Sequence, residues 1–77
     1  MPRPTPPETL HIDALIMEFF QHHRVSAHTS AVVEFVGGKR ARVLRRLNAL
    51  AARGELERMK THRRELRWRQ PIERLYL

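Results

Sequence analysis

Two arginines three residues apart, Arg42 and Arg45, are the side chains of this sequence best suited to gripping a ligand. Arginine offers a planar fork of donors that matches phosphate, or the major-groove edge of guanine, through two parallel hydrogen bonds. At about 100° per residue on a helix, Ala41, Arg42, Arg45, Ala49 and Ala52 fall on one side and Asn48 at its margin. Small residues beside long donors let such a face come close to a grooved surface. On a nucleic acid, Arg42 and Arg45 would reach base edges, with Ala41 and Ala49 at the points of close approach and Asn48 as an adenine reader. Lys39 and Arg40 stand at the helix start, where free backbone N–H groups also favour phosphate. Arg46 and Arg53 flank the face, and Lys60, His62, Arg63 and Arg64 gather further on. These eight groups suit phosphate, which positions a ligand without specifying its sequence.

The charge distribution supports a polyanion as the ligand. The 77-residue chain carries +7, but unevenly. Residues 1–38 hold Arg3 and Arg24 against Glu8, Asp13, Glu18 and Glu34, a net −2. Residues 39–77 hold thirteen basic side chains against four acidic, a net +9. A solvated exterior explains scattered charges, not an excess confined to one half of a small chain.

Other chemistries find less to work with. The five histidines, His11, His22, His23, His28 and His62, show no H-x-x-x-H spacing and no carboxylate pair, so no metal ligand set is expected. With no Cys and two Ser, no nucleophilic or hydrolytic site is expected, and neither an enzyme nor a cofactor is indicated. Trp68 could stack on a base, but alternating with Leu66 it is expected to pack inward. The absence of Cys fits a reducing compartment. No apolar run approaches the ~18 residues of a membrane span, and residues 1–7 have no apolar segment of the signal-peptide kind. A soluble, cytoplasmic protein on the nucleoid is the expectation, with no membrane partner.

The elements that must hold these side chains follow from periodicity. Residues 1–8 form a Pro-rich arm, with four of the five prolines in the first seven positions. Ile12, Leu15, Ile16, Phe19 and Phe20 recur at three- and four-residue spacing and predict a helix over about residues 8–23. Val25 could make a short strand. Ser26, Thr29 and Ser30 are N-cap residue types before a helix through 31–36, for which its β-branched content makes a strand the rival. Gly37-Gly38 should stop that helix sharply. The helix over 39–53 buries Val43, Leu44, Leu47, Leu50 and Ala51, and Gly54 is expected to end it in a left-handed conformation. "ELERMK" and "ELRWRQ" alternate and predict a two-stranded hairpin turning at "THRR". Leu66 and Trp68 share one of its faces, Arg67 and Arg69 the other. Pro71 breaks the second strand, and residues 71–77 form an amphipathic tail with Ile72, Leu75 and Tyr76 at helical spacing.

This order, an α+β arrangement of three helices plus a two-stranded wing, resembles the winged helix-turn-helix domain of small bacterial and phage transcriptional regulators. The resemblance covers residues 9–70. "RVLRRLNAL" is similar to the T-V-x-R-x-L-x-x-L run of regulator recognition helices, with Arg42 where Thr is common and Val43, Arg45, Leu47 and Leu50 in register. "LAARGEL" resembles the exit into the wing, with Leu50, Gly54 and Leu56 in place. At the bend, Gly37-Gly38-Lys39-Arg40 departs from the usual Gly, apolar residue, then Ser or Thr. The resemblance implies a helix 39–53 in the major groove of double-stranded DNA and a wing 56–69 on the backbone or minor groove. It implies a sequence-specific regulator, most simply a repressor. A homodimer through the tail (Ile72, Leu75, Tyr76, Leu77) and the first helix would match a two-fold site. Two other readings stay open: a winged helix on RNA or a ribonucleoprotein, and an adaptor docking on an acidic protein.

Overall fold

The computed structural model describes residues 7–23, 25–60 and 66–71. Residues 1–6, Arg24, 61–65 and 72–77 lie outside the described residues, and Pro7 and Glu8, expected in the Pro-rich arm of 1–8, belong to the first helix. The chain folds as a small α+β domain in the order α1 (Pro7–His22), β1 (Ala27–His28), α2 (Thr29–Val36), α3 (Arg40–Ala52), β2 (Glu57–Lys60) and β3 (Leu66–Arg69). The strands form one antiparallel sheet, β1-β3-β2, so the expected two-stranded hairpin is a three-stranded sheet. The sequence allows a short strand at Val25. Val25 instead lies in a bend, 73% exposed, and the strand is Ala27–His28, paired with Trp68 and Arg67.

Helix α1 starts on Pro7, whose missing N–H costs nothing there, and has Glu8 in its first turn, where the helix dipole favours an anion. Ile16, Phe19 and Phe20 are buried and Ile12 packs against them, which is the apolar face expected from the spacing. At the C-terminus His23 Nδ1 donates to the Phe19 carbonyl at 3.0 Å, and its ring stacks on Phe19 at 4.3 Å.

The segment 29–36 is helical, not extended, and begins two residues earlier than its apolar run. None of Ser26, Thr29 and Ser30 caps it. His28 holds the N-cap position with extended backbone and no side-chain cap bond. Thr29 is drawn inward, 3% exposed, where its hydroxyl accepts from Trp68 Nε1 at 2.7 Å and donates to the Leu66 carbonyl at 3.1 Å. One oxygen therefore stitches α2 to β3. Trp68 is fully buried, which removes it from any stacking role on a base.

Gly37 and Gly38 both hold positive φ, +77° and +90°. Gly37 N–H closes α2 on the Val33 carbonyl at 2.8 Å, and its ψ of 167° puts it in a region that is essentially glycine's alone. Lys39 then serves as an extended N-cap with no side-chain cap bond. The bend thus relies on the backbone freedom of two successive glycines. No atom lies within 4 Å of a Cβ built at Gly37, so Gly37→Ala is expected to cost the backbone term alone, about 1–3 kcal/mol. A fall in urea midpoint at unchanged m-value would show it; an unchanged midpoint would mean that the bend tolerates another conformation.

Helix α3 buries Val43, Leu47 and Leu50, with Leu44 and Ala51 packed against the core. Its exit carries the paired bonds of a Schellman motif: Gly54 N–H to Ala51 O at 3.1 Å and Glu55 N–H to Leu50 O at 2.9 Å, with Gly54 at φ +79°. The chain is thereby turned so that Leu56 enters the core and β2 starts beside α3. Among the described residues, no helix is long and apolar enough to cross a membrane.

Candidate nucleic-acid interface

The burial of Val43, Leu47 and Leu50 decides what α3 leaves outside. Arg40, Ala41, Arg42, Arg45 and Ala52 are exposed, and Asn48 and Ala49 are half-buried at the edge of that face. Arg45, Lys39 and Arg40 make no ion pair among the described residues. Arg42 Nη1 lies 3.6 Å from Glu8 Oε2 of α1, but the two side chains are 58% and 81% exposed. Such a loose surface pair holds a donor only weakly.

The flanking arginines differ. Arg46 turns away from the exposed face and grips Asp13 of α1 with both Nε and Nη2 at 2.8 Å. The side chains are 21% and 15% exposed, so this bidentate pair is a brace between α1 and α3. The hydrogen bond to Asp13 holds the guanidinium above its ordinary pKa, against the opposing effect of burial. Arg46 is thus held by a part-buried, bidentate partner, whereas Arg42 has only the loose exposed pair with Glu8, and Arg40 and Arg45 make no ion pair among the described residues. Arg53, just past the helix, lies 2.8 Å from Glu55 Oε2 and is 59% exposed.

The sheet register sorts the remaining basic side chains by face. Arg58 stands opposite Trp68 and Lys60 opposite Leu66, so both share the face that packs toward the helices. Because β2 is an edge strand, they are exposed at the rim of the core rather than buried in it. Glu57 and Met59 stand opposite Arg69 and Arg67 on the other face, where Arg69 Nε donates to Glu57 Oε2 at 2.7 Å. Lys60 is therefore on the side of α3. His62, Arg63 and Arg64 lie outside the described residues.

Arg58 was not among the residues expected at the site. Its Nη1 donates to Asn48 Oδ1 at 3.0 Å, while Asn48 Nδ2 donates to the Leu44 carbonyl at 3.1 Å. A signal for it exists in the sequence: Leu56, Arg58 and Lys60 alternate, and Leu56 is apolar, so all three point to one side. Between α3 and β2 lies an open trough of about 1010 Å³, lined by Asn48, Ala51, Ala52, Gly54, Leu56, Glu57, Arg58 and Pro71. Among the described residues no three His, Asp or Glu side chains come together as a metal site would need.

Compared with known protein families, with curated proteins and with solved structures, the chain finds no match.

Proposed function

We propose that this chain is a winged helix-turn-helix protein that binds double-stranded DNA at specific sequences, as a small transcriptional regulator of repressor type. The order α1-β1-α2-α3-β2-β3 and the sheet order β1-β3-β2 support the fold reading. In it, α2 and α3 are the helix-turn-helix pair and β2 and β3 the wing. The observation that carries the functional reading is the outer face of α3. Arg42 and Arg45 stand exposed there with Ala41 and Ala52, while the nearby half-buried carboxylate, Asp13, is occupied by Arg46. At 13 residues α3 is about 20 Å long, and B-DNA's major groove admits one such helix. Lys39 and Arg40 would meet phosphate at its start, and Lys60 and Arg58 beside it.

Selection of bound fragments from a random duplex pool, at a fixed salt concentration, tests this reading. An enriched motif is the expected result. Two inverted half-sites about one helical turn apart would show a two-fold dimer on the DNA, and a single half-site a monomer. Absence of any enrichment would overturn the reading, and displacement of the protein by structured RNA but by no duplex DNA would do so in favour of an RNA ligand. Salt dependence alone cannot decide, since both polymers release counterions.

A further inference from the structure

The trough between α3 and β2 contains a hydrogen-bonded relay that a helix acting alone does not require. Asn48 commits both ends of its amide, Nδ2 to the Leu44 carbonyl at 3.1 Å and Oδ1 to Arg58 Nη1 at 3.0 Å. An amide held in this way is poorly placed to read adenine, which needs the same donor and acceptor together. What the relay does is fix one end of Arg58. That guanidinium is exposed, makes no ion pair among the described residues, and has further N–H donors to offer. Glu57 also lines the trough, but its carboxylate is taken by Arg69, its cross-strand partner, at 2.7 Å. Ala51, Ala52 and Gly54 leave the trough beside Arg58 unobstructed.

We propose that Asn48 is a positioning residue, and that it holds Arg58 over the trough to bind a backbone phosphate of the DNA strand running between α3 and the hairpin. This rests on the duplex-DNA reading above and deepens it by assigning the flanking strand a track. A guanidinium anchored at one nitrogen has lost part of its side-chain freedom before the ligand arrives, so less is lost on binding. Its remaining fork still matches a phosphate. Lys60, two residues on and on the same face, extends the basic track along β2.

The test compares the full chain with Arg58→Ala, Arg58→Lys, Asn48→Ala and the double Asn48→Ala/Arg58→Ala variant. The probes are one duplex carrying the selected site and one of random sequence, titrated from about 50 to 200 mM salt. Arg58→Ala is expected to weaken both duplexes several-fold alike and to lower the salt slope by about one. Arg58→Lys should keep the slope. Asn48→Ala should reproduce part of the affinity loss with no change in sequence preference, and the double variant should be no weaker than Arg58→Ala. Urea midpoints check that each variant is folded, and Arg58→Gln replaces Arg58→Ala should alanine destabilise the strand. Unchanged affinity and slope in Arg58→Ala, additive losses in the double variant, or a preference lost at one base in Asn48→Ala would each overturn the assignment. If Arg42→Ala and Arg45→Ala abolish binding while Arg58→Ala binds as the unmodified chain, only the Arg58 assignment fails. If the unmodified chain binds neither duplex, both readings fail.

Discussion

Replacing Thr29 by Val is expected to destabilise the domain by about 1–3 kcal/mol, although the side chain keeps its shape and volume. The hydroxyl accepts from Trp68 Nε1 and donates to the Leu66 carbonyl inside the core. Valine would strand the buried indole N–H and take one bond from the half-buried Leu66 carbonyl, and an unsatisfied buried polar group costs about 1–3 kcal/mol. For a chain of 77 residues, with a small core and no Cys, that is a large share of the total stability. The urea midpoint of Thr29→Val measures the loss. Its origin is separated by repeating the change in a Trp68→Phe background, which has no indole N–H to strand. There Thr29→Val should cost less. An equal cost in both backgrounds would refute the indole–hydroxyl bond as the source.

The second large effect is on binding. Arg42→Ala and Arg45→Ala are each expected to lose about 1–3 kcal/mol of affinity for the selected duplex, with relaxed preference at the contacted base pair. Both side chains are exposed, so stability should hardly change. The two losses should be distinguishable by position, since one turn of helix separates the side chains along the groove. A double variant that binds its duplex with unchanged affinity and preference would rule out α3 as the reading helix. The same variant losing an acidic protein partner would then favour the adaptor reading.

Helices α1 and α3 were legible because their apolar residues recur every three or four positions and each apolar face found a core to fill, whereas α2, apolar at nearly every position from 31 to 36, left a strand as the rival reading. The two-residue strand β1 was not, since no periodicity fits in so short a segment; only its partners Trp68 and Arg67 define it. Thr29 looked like a cap because capping and core stitching use the same hydroxyl. Which role it takes depends on an indole 39 positions away. Arg45 and Arg46 are adjacent and chemically identical, and one faces outward while the other braces two helices. That difference depends on Asp13, 33 residues back, and helical spacing alone could only place Arg46 at the flank. Arg58 was within reach of the alternation beginning at Leu56, but a charge beside a turn is easily taken for solvated surface.

Among the described residues the sheet order β1-β3-β2 leaves two edges unpaired, and they bear on how the protein behaves at high concentration. An unpaired strand edge is a template for joining another copy's edge, the first step toward aggregation. One edge here is only two residues long, too short to seed such a ladder. The other, β2, carries Arg58 and Lys60 exposed along it. Two copies meeting edge to edge along β2 would bring like charges together, so the strand resists templating its own kind. The positive charge that would draw in a polyanion thus also acts as a gatekeeper against self-assembly.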